Sequence, residues 1–240
     1  MTVAIIPARG GSKRIPRKNI RLFRGQPIIS YVIRAALRSG IFEEVAVSTD
    51  DEEIAMISRE HGASTPFPRS ASTADDTTPI TSVIREVLLD YRVRGREFSQ
   101  ACCLLATAAL VSANRLRQAK AMLEVHPATE GLISLVRTPQ PAGRALLVRD
   151  GRVQFMLEDQ TTNRSQDYAE TYFDAAQMYW VRTGPFLERE ASTMSYLKRL
   201  PLVLSEFETQ DINTPADWQL AEWKHAFLEL HPEIAGATQF

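Results

Sequence analysis

The chain has 240 residues, of which 44% are hydrophobic and 24% are charged, and its 28 basic residues nearly balance 29 acidic ones. This composition excludes a mostly disordered protein, and the net charge of −1 excludes a global basic field that would gather nucleic acid non-specifically. We therefore expect a compact protein with a single domain over residues 1–240, in which any anion binding is local.

Two cysteines, Cys102 and Cys103, stand side by side in an apolar run. Such a pair argues against a disulfide framework and suits a reducing compartment. The N-terminus lacks the pattern of a signal peptide, and no uncharged run approaches the roughly 20 residues of a membrane span. We expect a cytoplasmic protein with neither a membrane nor a nucleic acid as its partner.

The first part of the chain alternates between strand and helix patterns. The β-branched run from Val3 to Pro7 predicts a buried strand, and "PIISYVIRAALRSG" predicts a helix that ends at Gly40. A second strand is predicted in "EEVAVSTD", and a helix with acidic residues at its N-terminus in "DDEEIAMISREHG". This order predicts an α/β fold with a parallel, doubly wound sheet.

The pattern continues with a polar loop and a helix in "STADDTTPITSVIREVLLDYRVRG", a strand in "QACCLLATAAL", a helix in "SANRLRQAKAMLEVHP" and a strand in "GLISLVRT". Residues 138–175 then show hairpin signals without a helical period, which predicts an excursion from the main sheet. A return strand in "AAQMYWVRTG" and a late strand in "PLVLSEFET" follow. The terminal helix is predicted to begin after Thr214, with Pro215 at its first position.

The segment after the first strand, "IIPARGGSKRIPRKN", holds five basic side chains and two adjacent glycines. Ligands of doubly wound sheets bind at the carboxyl ends of strands, and glycine N–H groups beside basic side chains attract phosphate. The spacing matches neither the P-loop motif GxxxxGK[ST] nor the dinucleotide motif GxGxxG. A polyphosphate site and a solvated turn of positive charge both remain open at this point.

The whole string closely resembles the signature of the cytidylyltransferases that activate nonulosonic acids, the CMP-sialic acid synthetase family. The blocks "VSTDDEEIA", "GASTPFPRS", "CCLLATAAL", "RSQDYAETYFDAAQMYW" and "QDINTPADWQLAE" follow in family order, and the pseudaminic acid branch looks closest. The resemblance implies a Rossmann-like fold and a reaction of CTP with a sugar acid that gives the CMP-sugar and pyrophosphate. It also implies a Mg²⁺ cofactor and a homodimer, with residues 138–175 as the dimerisation and sugar-binding excursion.

The same resemblance implies a set of nucleotide-binding residues. Arg9 and Lys18 would hold the triphosphate and stabilise charge on the leaving group, so they are candidate catalytic residues together with Asp211. The main chain at Pro7, Ala8 and Arg9 also suits recognition of the cytosine edge. The remaining candidates are Gly10, Gly11, Ser12, Lys13, Asn19, Arg69, Asp76 and Thr77.

Several of these positions have a second interpretation. Lys13, Arg14 and Arg17 could equally be solvated neighbours of the phosphate contacts. Asn19 could cap a turn, and Asp76 and Thr77 could cap the helix that they precede.

The metal site is implied by the resemblance to lie at Asp211, where the family has the first aspartate of a DxD pair. The second position is Asn213 here, whose amide oxygen can still ligate Mg²⁺ with less charge. Asp50 could reach the sugar or the metal, but helix capping by Asp50 or Asp51 is an equal alternative.

The sugar-binding candidates are spread over three blocks. An arginine is the natural partner of a sugar carboxylate, and either Arg144 or Arg164 could supply it, or could instead pair with an acid across a subunit boundary. The other candidates are Ala106, Thr107, Gln166, Gln177 and Tyr179. Ala109, Leu110, Phe173 and Ala176 depart from the pseudaminic pattern. CMP-sialic or CMP-legionaminic acid synthesis, and a non-catalytic CTP-binding protein, are therefore the alternatives.

Overall fold

The structure is a computed structural model that describes residues 1–156, 168–189 and 198–234. Its strands are Thr2–Pro7 (β1), Leu22–Phe23 (β2), Gln26–Pro27 (β3), Glu44–Ser48 (β4), Gln100–Leu104 (β5), Gly131–Arg137 (β6), Leu146–Arg149 (β7), Arg152–Phe155 (β8), Tyr172–Arg182 (β9) and Arg199–Leu204 (β10). Its helices are Ile28–Ser39 (α1), Glu52–Glu60 (α2), Ile80–Val93 (α3), Ala113–Val125 (α4), Thr183–Glu188 (α5) and Pro215–Leu230 (α6).

The main sheet has six strands in the order β10-β6-β9-β5-β1-β4. Strand β1 pairs in parallel with β4 and β5, and β10 pairs in parallel with β6. Strand β9 runs antiparallel to both of its neighbours, β5 and β6. The predicted α/β fold with a mostly parallel, Rossmann-like sheet is confirmed.

Both faces of this sheet are buried, as the β-branched sequence of β1 predicts. Ala4 and Ile6 point into a core that includes residues of α1 and α4, whereas Val3 and Ile5 point into a core that includes residues of α3. The alternation follows from the period of two in a strand. With helices on both sides, the loops at the carboxyl end of β1 form one edge of the molecule.

Strand β9 carries a bulge opposite Ser134 of β6. The register jumps there, since Ile133 pairs with Tyr179 while Leu135 pairs with Asp174. The fully buried hydroxyl of Ser134 accepts a hydrogen bond from the N–H of Met178 (3.1 Å) and donates one to its carbonyl (3.2 Å). A single side chain therefore takes over ladder hydrogen bonds that the bulge removes.

The predicted excursion contains the hairpin of β7 and β8, which forms a separate two-stranded sheet. In the described ranges, the short ribbon of β2 and β3 and helix α5 after the return strand were not predicted. The late strand ends at Leu204, earlier than its pattern suggested, because Ser205 caps a one-turn helix over Glu206–Glu208. No helix in the described part of the chain is long and apolar enough to cross a membrane.

Candidate active site

A pocket of about 500 Å³ opens at the carboxyl end of β1. It is framed by the loop after β1, the loop before α3 and the loop after β5. Its lining residues are Pro7, Arg9, Ser12, Lys13, Arg14, Lys18, Asn19, Arg69, Asp75, Asp76, Thr78, Ile80, Val83, Leu105, Ala106 and Thr107. Eight of the twelve predicted nucleotide-binding residues lie on its wall; Ala8, Gly10, Gly11 and Thr77 do not.

Arg9 and Lys13 reach across the pocket to the same carboxylate. Both form ion pairs with Asp76, which comes from the loop before α3. Lys13 and then Arg9 hold the pKa of Asp76 below its usual range. A single carboxylate thus pairs with two of the cations that are candidate nucleotide-binding residues.

The neighbouring acid, Asp75, has a different role. Its carboxylate accepts hydrogen bonds from the main-chain N–H groups of Thr77 (2.8 Å) and Thr78 (2.6 Å). Hydrogen bonds from Thr78 and Thr77 lower the pKa of Asp75 to about 2. Asp75 caps its own turn, while α3 begins after Pro79 and has no side-chain cap from Asp76 or Thr77.

The loop after β1 is closed by hydrogen bonds within itself and to the strand beside it. Asn19 is buried and donates from Nδ2 to the carbonyl of Arg9 (3.0 Å). The N–H of Ala8 bonds to the carbonyl of Ser48 (2.9 Å), and the N–H of Gly10 bonds to Asp50 Oδ1 (3.0 Å). Of these three residues only Asn19 lines the pocket, and the N–H groups of Ala8 and Gly10 are already engaged.

Gly10 is required by a close approach. A Cβ atom at this position would lie 2.6 Å from Asp51 Oδ2, which is closer than real Cβ contacts. Asp51 is held there by Arg17, which pairs with its carboxylate through both terminal nitrogens and also pairs with Glu53. The backbone of Arg17 is left-handed (φ 53°). Arg17 therefore fastens the loop to α2, and Asp51 also caps that helix.

Lys18 lies at the junction of the pocket and the segment that precedes α6. Its ammonium donates to the carbonyl of Ile212 (2.8 Å). Burial lowers the pKa of Lys18, while the charge of Asp211 acts in the opposite direction. The structure thus brings the predicted phosphate-binding lysine beside the predicted metal-binding aspartate.

The predicted metal ligands are neighbours in space. Asp211 Oδ2 lies 2.6 Å from the side-chain nitrogen of Asn213, and the carboxylate of Asp211 is exposed. In the described ranges no three or more His, Cys, Asp or Glu side chains gather around one point. One carboxylate and one amide fit a hard cation that keeps water and takes substrate phosphates as its other ligands.

The floor of the pocket is apolar on the side of α3 and β5. It is formed by Ile80, Val83 and Leu105, and Ala106 and Thr107 continue it beyond β5. Arg69 also lines the pocket; its guanidinium donates to the carbonyl of Thr73, and burial lowers its pKa. An apolar floor with a cationic rim suits a ligand that has a flat ring at one end and anionic groups at the other.

The other sugar-binding candidates are not gathered in this pocket. Gln177 is 1% exposed, and its Nε2 donates to the carbonyl of Glu208. Tyr179 donates to Asp174 Oδ2 (2.8 Å), and burial followed by the Asp174 charge raises its pKa. Arg144 is exposed in a turn of the excursion. Arg164 and Gln166 lie outside the described residues.

One buried pair near the site has no signal in the sequence. Arg115 of α4 and Glu208 form a two-pronged ion pair, with Nε to Oε1 at 2.9 Å and the second nitrogen to Oε2 at 2.7 Å. Each side chain is 3% exposed. The partners are 93 residues apart, so local spacing could not have joined them.

Known proteins share both this sequence pattern and this fold. Residues 3–230 match the cytidylyltransferase family. A pseudaminic acid cytidylyltransferase of Campylobacter jejuni is 38% identical over 189 residues, which are 78% of this chain and 81% of the relative. A CMP-N,N'-diacetyllegionaminic acid synthase of Legionella pneumophila is 30% identical over 96% of this chain and 97% of its own length.

Among solved structures, a CMP:2-keto-3-deoxy-manno-octonic acid synthetase complexed with CTP has a TM-score of 0.70 at 17% identity, with 94% of this chain and 98% of that chain covered. This likeness concerns the fold. The match over most of the chain shows that the protein belongs to the cytidylyltransferase family. It is accordingly a nucleotidyltransferase, and enzymes of this kind generally use a divalent metal ion.

Proposed function

We propose that the protein couples CTP to a nonulosonic acid, specifically pseudaminic acid, and releases pyrophosphate. The observation that carries this proposal is the convergence of Arg9, Lys13 and Lys18 on one pocket in a chain of the cytidylyltransferase family. Three cations around one hollow suit the charge of a triphosphate. The choice of sugar is supported by the similarity to the Campylobacter jejuni enzyme.

In the proposed reaction the hydroxyl oxygen on the anomeric carbon attacks the α-phosphorus of CTP, in line with the leaving group. A bond forms from phosphorus to the sugar oxygen, the bond from phosphorus to the bridging oxygen breaks, and the hydroxyl proton passes to solvent. Arg9 and Lys18 would stabilise the negative charge that grows on pyrophosphate. No covalent intermediate with the enzyme is needed.

The proposed nucleotide contacts follow from the walls of the pocket. Ser12 and Lys13 would contact the triphosphate, whereas Asn19 would act by holding the carbonyl of Arg9. Arg69, which also lines the pocket, would contact the nucleotide. The cytosine contacts assigned to the main chain of Pro7 and Ala8 would have to use carbonyl groups, because the N–H of Ala8 is engaged by Ser48 and proline has none.

Magnesium is the proposed cation, held by Asp211 and Asn213 beside Lys18. When bound, the ion would neutralise phosphate oxygens as a Lewis acid. The Asn213 side-chain nitrogen donates to Asp211 Oδ2 (2.6 Å), which keeps the two side chains together, and the amide oxygen of Asn213 and the carboxylate of Asp211 would supply the donors. The remaining ligands would be substrate phosphates and water.

A homodimer through the excursion is part of the proposal. The hairpin of β7 and β8 exposes Leu146, Val148 and Val153 by 54%, 73% and 65%, which is unusual for one small sheet. A second copy would cover this apolar surface. Arg144 and Arg164 remain the proposed partners of the sugar carboxylate in this part of the chain, and Ala106, Thr107 and Tyr179 would face the sugar from the main sheet.

Legionaminic acid is the second candidate substrate, because the Legionella pneumophila relative matches over nearly its whole length. N-acetylneuraminic acid is a third sugar of the same class. The cytoplasm is the proposed compartment, which is supported by the two buried free thiols Cys102 and Cys103.

The test is pyrophosphate release from the purified protein with CTP, Mg²⁺ and, in parallel, pseudaminic, legionaminic and N-acetylneuraminic acids. We expect release with pseudaminic acid, lost in Arg9→Ala and in Asp211→Ala. Release with another of the three sugars would replace the substrate but keep the reaction. If no pyrophosphate is released with any of the three sugars but CTP binding is measurable, the result would favour a non-catalytic CTP-binding protein.

A further inference from the structure

The segment that carries Asp211, residues 205–213, is fastened at several points that surround the aspartate. Before Asp211 in the chain, Glu208 is buried against Arg115, and the main-chain carbonyl of Glu208 accepts a hydrogen bond from Gln177. After Asp211, the main-chain carbonyl of Ile212 accepts the hydrogen bond from Lys18. Between these anchors lie Thr209, Gln210 and Asp211 itself.

The side chain of Lys224, on α6, forms hydrogen bonds with residues between these two anchors. Its ammonium donates to the carbonyl of Thr209 (2.8 Å) and to Gln210 Oε1 (3.0 Å). The amide nitrogen of Gln210 in turn donates to the carbonyl of Asp211 (3.2 Å). A chain of hydrogen bonds therefore runs from a lysine on the terminal helix to the main chain of the predicted metal ligand.

The surroundings of Lys224 support a fixed position. Lys224 and Asp211 line the same hollow of about 250 Å³. Lys224 is half-buried, and burial lowers its pKa. An ammonium that loses part of its hydration keeps its charge only where oxygen acceptors replace the lost water, and here both acceptors belong to residues 209 and 210.

We propose that Lys224 is a positioning residue, which acts through Gln210 to hold Asp211 at the geometry required for the divalent cation. This inference rests on the proposed function, since that function makes Asp211 a metal ligand. Groups that orient a ligand from outside the coordination sphere change metal affinity by roughly 10- to 100-fold when they are removed. Two lysines from opposite ends of the chain, Lys18 and Lys224, thus flank the same aspartate.

The test uses Lys224→Met, which keeps the aliphatic stem and removes both hydrogen bonds. The matched control is Lys120→Met on α4, where the lysine pairs with Glu124 on the helix surface. Binding of Mn²⁺ is measured by electron paramagnetic resonance with CTP present and no sugar, so this readout does not depend on turnover. Pyrophosphate release against Mg²⁺ concentration is measured alongside it.

For Lys224→Met we expect Mn²⁺ affinity to fall roughly 10-fold and the half-saturating Mg²⁺ concentration to rise by a similar factor. The KM for CTP and the kcat at saturating Mg²⁺ should stay within about twofold, because the phosphate contacts are not altered. Lys224→Arg should recover most of the loss, since a guanidinium can reach the same two acceptors. Lys120→Met should behave as the wild type.

A double-mutant cycle tests the route through Gln210. If Lys224 acts through this amide, Lys224→Met combined with Gln210→Ala should weaken Mn²⁺ binding no more than the larger single effect. Additive losses would show that Lys224 acts by another route, and unchanged Mn²⁺ affinity in Lys224→Met would overturn the proposal. A wild type that binds Mn²⁺ with CTP but releases no pyrophosphate would overturn only the proposed function. A wild type that binds no Mn²⁺ would overturn the positioning role.

Discussion

The ammonium of Lys18 donates a hydrogen bond to the main-chain carbonyl of Ile212, which lies 194 residues further along the chain. This contact joins the loop after β1 to the segment that carries Asp211. Because Ile212 is 1% exposed, the carbonyl belongs to a packed part of the structure. The position of Lys18 is therefore set by the C-terminal part of the chain as well as by its own loop.

Loss of the charge at Lys18 should abolish most of the activity. We expect Lys18→Met to reduce kcat for pyrophosphate release by roughly 100- to 1,000-fold, the usual cost of removing one group that stabilises transition-state charge. Circular dichroism and the unfolding midpoint serve as controls for the fold. A loss of less than threefold would mean that Lys18 is a structural link between the two segments and takes no part in the reaction.

The same residue predicts an alkaline limit to the pH profile. Burial lowers the pKa of Lys18 below its ordinary value, so the required charge is lost at a lower pH than for an exposed lysine. The folded protein also holds this proton less tightly than the unfolded chain does. The resulting destabilisation is present at neutral pH and disappears as pH rises above the pKa of the unfolded state. In the wild type, kcat/KM plotted against pH should fall at alkaline pH. Lys18→Arg should move this fall to a higher pH.

Asp76 forms ion pairs with Arg9 and Lys13, two cations that the bound triphosphate of CTP would use. We expect Asp76→Asn to lower the KM for CTP by roughly two- to fivefold, because Arg9 and Lys13 no longer have to leave a carboxylate before they bind phosphate. Asp90→Asn on α3, where Asp90 pairs with Arg94 on the surface, is the matched control. A higher KM in Asp76→Asn would instead indicate direct contact between Asp76 and the nucleotide.

The parts of the site that lie within one segment could be predicted from sequence, and the parts that depend on distant pairs could not. Arg9 and Lys18 belong to one string, so their place at the end of β1 followed from the strand and loop pattern. Asp76 is 67 residues from Arg9 and pairs with it only because the loop before α3 folds back over the pocket. The same holds for the fold. The alternation of strands and helices could be predicted from the sequence, but the antiparallel direction of β9 could not.

Gln177 shows a second reason for the limit. As a polar residue in a family block it was predicted to contact the sugar, and that contact stays a prediction; in the structure its side chain is buried and donates to the carbonyl of Glu208. Sequence does not distinguish a polar group that faces a ligand from one that satisfies a buried main-chain carbonyl, because both are fixed polar positions in a strand.

Restoring the second carboxylate should strengthen the metal site. We expect Asn213→Asp to lower the half-saturating Mg²⁺ concentration by roughly three- to tenfold, because a carboxylate binds a hard cation better than an amide does. Asn114→Asp at the start of α4 adds the same charge away from the site as a control. No change in Mg²⁺ dependence would show that residue 213 does not ligate the ion.

The bulge in β9 contains a residue with an unfavourable backbone conformation, and a substitution can remove its cost. Ala176 has a left-handed backbone (φ 50°), which costs a residue with a Cβ about 1–2 kcal/mol. Glycine removes this cost but adds about 0.5–1 kcal/mol of entropy loss on folding, so the midpoints of the two ranges predict that Ala176→Gly stabilises the fold by about 0.75 kcal/mol. We expect Tm to rise by roughly 1–4 °C.

The control for this substitution is Ala145→Gly, at a position with φ −62°. It should lower Tm slightly, since glycine there brings only the entropy cost. Calorimetry on both variants and the wild type measures the effect. Equal changes at the two positions would contradict the role of the left-handed backbone.

The adjacent thiols of Cys102 and Cys103 offer a view of how the protein opens. They sit on one central strand but face opposite ways, Cys102 into the core shared by α1 and α4 and Cys103 into the core that includes α3. Both are fully buried, and burial raises the pKa of each, so neither reacts with an alkylating reagent in the closed molecule. Comparing labelling rates at the two sulfurs would therefore tell whether the two halves of the interior admit solvent together or one before the other.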